Sequence, residues 1–131
     1  MNKKTQKIMF SSMNQKWRTP TLLYKRLNEE FHFDFDPCPS DPTFNGLHID
    51  WKERNFVNPP YRDIKEWVYK AWTVSQLGKL VVLLLPSRTD TLWFHRYVLP
   101  YASEIRFLKG RLYFNNSKNP APFPSMIVIF G

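Results

Sequence analysis

"KLVVLLLPS", residues Lys79 to Ser87, holds the longest apolar run in the chain. No polar residue alternates within it, so a strand here is covered on both faces, as at the centre of an α/β sheet. The flanks support that placement. Before it, "RDIKEWVYKAWTVSQLG" sets Ile64, Trp67, Val68, Ala71 and Trp72 on one helical stripe, and Gly78 is a natural stop. After it, "DTLWFHRYVLP" predicts a short helix with Asp90 as a cap.

Further out, "TPTLLYKRLNEEF" predicts a helix: Thr19 can cap it, Pro20 suits its first turn, and Leu22, Leu23, Leu27 and Phe31 recur at helical spacing. In "FHFDFD" the phenylalanines at 31, 33 and 35 alternate with polar residues, which predicts a strand ended by Pro37 and Pro39. "LHID" and "NFVN" are expected as short strands, "EIRFLKGRLYF" as strand, glycine turn and strand, and "SMIVIF" as the last strand. Alternating helices and strands predict an α/β fold, a three-layer sheet. It is expected to be mostly parallel, with an antiparallel C-terminal edge, because the closing connections are too short for crossover helices.

A chain of 131 residues fits one domain, expected over residues 17–131 behind a flexible basic arm at 1–16. No apolar run approaches the roughly 20 residues of a membrane span, and the first residues lack the pattern of a secretory signal. Cys38 is the single cysteine, so no internal disulfide forms and a reducing, cytoplasmic setting is expected. His32, His48 and His95 show no metal-ligand spacing. The net charge of +8 points to a polyanionic partner. Residues 28–50 carry acids and no Lys or Arg, whereas 105–131 carry bases and no acid. An acidic pocket in a basic frame suits a cationic small molecule beside an anionic polymer; a chance segregation of solvated faces gives the same pattern.

Ligands in α/β sheets bind beyond the carboxyl ends of the strands, where "DPCPSDP", "NPPY" and "SRTD" are expected to lie. Asn58-Pro59-Pro60-Tyr61 suits one chemistry well. The lone pair of an exocyclic adenine amine is delocalised into the ring. Two acceptors holding both amine hydrogens draw the nitrogen toward a tetrahedral shape. The Asn58 oxygen and the Pro59 carbonyl can be those acceptors, and the two prolines fix them in advance. Tyr61 offers a face for a base rotated out of the duplex. A rigid turn capping the next helix explains the same letters. Arg88 is placed to clamp a phosphate or to fill the gap left by the base, unless it pairs with Asp90 to organise its own loop. Lys109, Arg111 and Lys118 are solvated or phosphate-facing.

The order of "WRTP", "FDFDPC", "FVNPPY", "WVYKA", "LLPSRTDTLWF", "GRLYF" and "PSMIVIF" resembles the phage-type DNA N-6-adenine methyltransferase family over about residues 17–130. The resemblance implies a Rossmann-like class I methyltransferase sheet of reduced size. It implies S-adenosylmethionine as cofactor, double-stranded DNA as partner, and a phage or prophage origin with action in a bacterial host. It assigns Asn58, Pro59, Pro60 and Tyr61 to catalysis; on position and charge, Arg88, Lys109 and Arg111 are expected with Tyr61 on the DNA. To the cofactor it assigns Thr19, Pro20, Asp36, Pro37, Cys38 and Asn58; Asp50 and Trp51, after a short apolar step, are expected to hold the cofactor's adenine by its amine and face. The wider class has F-x-G-x-G after the first strand, whereas this chain has Cys38, Pro39 and Ser40 there. Asp36 as a turn cap, Thr19 and Pro20 as a plain helix start, and Trp51 as a core residue are the competing structural roles. A methyltransferase acting on RNA or protein glutamine, and a non-catalytic nucleic-acid-binding protein of the same fold, are the competing functions. Base readout is expected from loops or from a second subunit in a homodimer.

Overall fold

The computed structural model describes residues 17–131, so the expected arm, with Lys3, Lys4 and Lys7, lies outside the described residues. The centre is β2 (Leu80–Pro86), flanked by β1 (Arg54–Val57) and β4 (Ser125–Phe130), with β3 (Glu104–Phe107) beyond β4 in the order β1-β2-β4-β3. β1 pairs with β2 in parallel, and α2 (Ile64–Ser75) connects them. β4 pairs antiparallel with both β2 and β3. The expectation of a mostly parallel sheet is therefore corrected in its pairing: one ladder of three is parallel. The cause is the insertion of β4 between β2 and β3, against the direction the other three strands share.

The apolar run behaves as its composition requires. Leu83 and Leu85 pack with Val57, Val128, Trp67 and Val68 on the face covered by α2. Val82 and Leu84 pack with Phe56, Ile127, Leu27 and Phe123 on the other face. Each such side chain, fully buried, stabilises the fold by about 1.5–3 kcal/mol, so covering both faces of β2 is the main organising force. The helix after β2 spans 92–101, with a π-helical stretch at Phe94–Val98. Thr91, not Asp90, caps it, its hydroxyl accepting the Phe94 N–H at 3.3 Å. Gly78 ends the α2 region with φ 87°, as its position predicts.

Four local expectations are corrected. The first concerns "FHFDFD", where one parallel bridge, Phe35 to Asn55, replaces a strand. Phe33 packs with the cluster around Leu27 and Phe56, and Phe35 with the cluster on the α2 side, so the period of two breaks between them. Asp34 also takes the Arg54 N–H on its carboxylate at 2.8 Å, a donor a ladder would need. In "LHID", the segment forms a 3-10 turn at Gly46–His48, held by the Asn45 side chain on the Leu47 N–H. "GRLYF" is irregular: the chain leaves β3 to lay Phe114, Ala121 and Phe123 over the second sheet face. Finally, α1 (Thr21–Phe31) starts without a side-chain cap, so Thr19 does not serve as one, and Leu22 points to solvent, off the apolar stripe.

Arg106 also departs from the basic frame. It bridges Glu30 of α1 and Glu104 of β3, and its hydrogen bonds hold both carboxyls below their ordinary range. An exposed network of this kind contributes little stability.

Candidate active site

The parallel pair β1–β2 puts two loops on one edge: Asn58-Pro59-Pro60-Tyr61 after β1 and Ser87-Arg88 after β2. Asp36 follows the Phe35 bridge to β1, so it reaches the same edge. The sequence-predicted site residues on these loops therefore converge because of strand direction.

Asn58 is 2% exposed. Its amide nitrogen donates to the Trp17 carbonyl at 2.5 Å and to the Thr19 hydroxyl at 3.0 Å. A carbonyl only accepts, so the nitrogen must face Trp17 and the amide orientation is fixed. Both amide hydrogens are thereby used, and Oδ1 is the atom left to accept an incoming donor. Thr19 thus positions Asn58, a role the sequence did not suggest. The Pro60 carbonyl accepts the Asp63 N–H at 3.3 Å and opens the 3-10 turn Tyr61–Asp63 that leads into α2. Pro59 is buried and Pro60 half-buried between these anchors.

Tyr61 is half-buried against an aromatic wall. Its ring meets Phe123 edge-on at 4.9 Å and Trp17 at 6.3 Å. Trp17 in turn contacts Phe114 at 5.3 Å. Burial pushes the Tyr61 hydroxyl well above its ordinary range, and the Arg88 guanidinium opposes that shift. Tyr61 stays protonated, and Arg88 is electrostatically within reach of it. Tyr61, Arg62, Ile64, Lys65, Arg88 and Trp93 line a cleft of about 410 Å³. Among the described residues no ion pair joins Arg88 to Asp90. The loop is organised otherwise: the Thr91 hydroxyl donates to the Arg88 carbonyl, and His95 Nε2 lies 2.6 Å from the Thr89 carbonyl.

A second cleft, of about 330 Å³, is lined by Arg18, Thr19, Tyr24, Asp36, Ser40 and Asn115, among others. Burial and the Asp36 charge both raise the Tyr24 hydroxyl, so the two groups are neighbours. Asp36 Oδ1 accepts the Cys38 N–H at 2.9 Å, so it does cap its turn. Pro37 and Cys38 are buried behind it. Gly46 holds this loop from below: a Cβ there would sit 1.9 Å from the Pro37 carbonyl oxygen. Pro20 stands at the start of α1 beside Thr19.

Asp50 and Trp51 do not line this cleft. Trp51 is 3% exposed, stacks on Trp67 at 6.1 Å and donates its indole N–H to the Gly46 carbonyl at 2.7 Å. It is a core residue, and Asp50 is exposed beside it. Lys109, Arg111 and Lys118 are exposed on the loop between β3 and β4. The same loop carries residues that sequence reasoning missed. Asn115 donates its backbone N–H to the Arg18 carbonyl and its side chain to the Thr21 hydroxyl, clamping segment 17–21 over the site. A run of Asn115-Asn116 in a Pro-flanked loop carries no signal for that.

The Asn-Pro-Pro-Tyr turn and the Asp36 cleft thus share one edge of an α/β sheet. A model of the DNA N-6-adenine-methyltransferase (Dam) family matches residues 6–130, nearly the whole chain, and the chain belongs to that family. It is therefore an enzyme that methylates adenine N6 in DNA. The match gives no support to the competing acceptors, RNA and protein glutamine, or to the non-catalytic reading. No curated protein matches the chain. No helix among the described residues is long and apolar enough to cross a membrane.

Proposed function

We propose that Asn58, Pro59, Pro60 and Tyr61 form the catalytic turn and that the methyl donor is S-adenosylmethionine, held in the Asp36 cleft. One observation carries the reading: Trp17 and Thr19 take both amide hydrogens of Asn58, which leaves Oδ1 as a preorganised acceptor. Asn58 Oδ1 and the Pro59 carbonyl accept the two amine hydrogens of adenine. Tyr61, backed by Phe123, stacks the extruded base, and a neutral phenol adds no charge beside it. The sheet is read as a reduced form of the Rossmann-like class I arrangement, which coverage of both faces supports. The resemblance to phage-type members supports duplex DNA as the substrate and a phage or prophage origin.

The donor set of the second cleft fits the cofactor. Asp36 offers a carboxylate to a cationic amine or sulfonium, Thr19, Ser40 and Asn115 offer hydroxyl and amide groups to a ribose, and Arg18 offers a cation to a carboxylate. When bound, S-adenosylmethionine supplies an activated methyl on sulfur. Asp36→Asn keeps the turn acceptor for the Cys38 N–H but removes the charge. It is expected to weaken S-adenosylmethionine binding by calorimetry with no loss of melting temperature. Unchanged affinity would return Asp36 to turn-capping only.

Arg88 is assigned to the space of the extruded base, on its place across the cleft from Tyr61. Arg88→Ala is expected to lower methylation of paired adenine far more than of adenine opposite a mismatch or gap, which is already easier to extrude. The measurement is the rate of N6-methyladenine formation by nucleoside analysis on both duplexes. Equal losses on the two would remove Arg88 from base extrusion.

A further inference from the structure

A third cleft, of about 390 Å³, adjoins the Tyr61–Arg88 cleft and has no part in the reading above. Lys65, Glu66 and Tyr69 of α2 face Trp93, Arg96 and Tyr97 of the 92–101 helix across it. Lys65 and Trp93 line both clefts, so the two form one continuous groove. We propose that this groove carries the nucleotides flanking the target adenine on one side, with Arg96 and Lys65 on phosphates and Tyr69 and Trp93 against an unstacked neighbouring base. The proposal rests on the catalytic reading of Asn58–Tyr61 for its direction, since the groove starts at Tyr61.

Charge selects the occupant. Arg62, Lys65, Arg88 and Arg96 line the joined clefts, against the single carboxylate of Glu66. Asp63 lies 3.9 Å from Arg62 and offsets part of that one cation. A polyanion is attracted to such a groove, and a second copy of this basic chain is repelled by it. The aromatic groups complete the match. Tyr69 is 50% exposed, and its ring meets Tyr97 edge-on at 5.5 Å. Tyr97 contacts Trp72 at 5.4 Å, and Trp72 contacts Tyr101 at 5.3 Å. A tier of supported rings beside cations is how a strand is held without sequence readout, because every base has a π-face. Extruding the adenine unstacks its neighbour, which gives Tyr69 and Trp93 a base face to cover. The π-helical turn at Phe94–Val98 lies on the same wall, where such turns serve functional sites.

The test uses the full chain and a short adenine-containing DNA duplex, with affinity measured across a salt series. Arg96→Ala is expected to flatten the log–log salt slope by about 0.9, one phosphate contact. Tyr69→Ala is expected to weaken binding about fivefold or more with the slope unchanged. Both residues are at the surface, and melting temperatures check that the fold is kept. In both variants KM for DNA is expected to rise more than kcat falls. Arg26→Ala, on the exposed side of α1 across the sheet, is the charge-matched control with a smaller effect. Parent affinity and slope in Arg96→Ala and Tyr69→Ala would overturn the proposal. So would a change in sedimentation with DNA affinity intact, which would make the groove a self-association face. The two readings fail separately: Asn58→Ala tests methylation with binding retained, whereas the groove variants test binding.

Discussion

Asn58→Ala is expected to lower the methylation rate by about 10²–10³-fold, the effect of losing one preorganised polar group at a reacting centre, roughly 2.7–4 kcal/mol. Two losses combine. The acceptor for one amine hydrogen disappears, so the adenine nitrogen keeps its planar, delocalised form. The Trp17 carbonyl, which takes the Asn58 amide, is left without that donor. A fully buried acceptor left unsatisfied costs about 1–3 kcal/mol; this one is only part-buried, so a smaller loss and some loosening of segment 17–19 are also expected. Thr19→Val separates the two. It removes the second anchor of the Asn58 amide and one hydroxyl of the cofactor cleft, so it is assayed at saturating S-adenosylmethionine, and it leaves the catalytic oxygen in place. A hydrogen bond is worth about 0.5–1.5 kcal/mol, so a rate loss of roughly tenfold or less is expected, with little change in melting temperature. Single-turnover assays with nucleoside analysis measure both. A folded Asn58→Ala protein that methylates at the parent rate would sink the cradle.

Trp17 and Thr19 also mark the boundary of what the sequence made legible. Elements with strong periodicity were readable: β2 from its unbroken apolar run, α2 from its stripe and Gly78, β4 from "SMIVIF". Their direction then fixed which loops share an edge, so Asn58, Arg88 and Asp36 were found together. Contacts between residues far apart in the chain were not readable. The Asn58–Trp17 bond spans 41 positions, and no local pattern encodes it. Alternation misled where side chains competed with the ladder. Asp34 took a backbone donor from "FHFDFD", and Phe114 and Phe123 drew "GRLYF" away from β3 onto the opposite sheet face. Trp51 was ambiguous for another reason. An Asp-Trp step suits a cofactor or a core equally, and only the Trp67 stack and the Gly46 carbonyl decide it.

Gly46 opens the 3-10 turn Gly46–His48, and Gly46→Ala is expected to have the second largest effect. An added Cβ would sit 1.9 Å from the Pro37 carbonyl oxygen and 2.8 Å from Trp67 Cη2. The nearer contact is backbone, so no rotamer change relieves it. Pro37 follows Asp36 directly, and pushing its carbonyl away moves the loop whose Asp36 carboxylate receives the Cys38 N–H. Trp67 yields no more easily, since it is buried and stacked on Trp51. Overpacking of this kind costs about 1–3 kcal/mol or more, which lowers the melting temperature of a domain this size by about 3–12 °C. Held well below that temperature, the folded variant is expected to lose S-adenosylmethionine affinity by calorimetry while still binding DNA, because the Tyr61–Arg88 cleft lies on other loops. Adding Trp67→Phe relieves only the longer contact, so it should not restore cofactor affinity. Full rescue by that second change would shift the cause to the Trp67 packing. Parent stability and parent affinity in Gly46→Ala would mean that the close approach to Pro37 does not hold the cofactor loop in place.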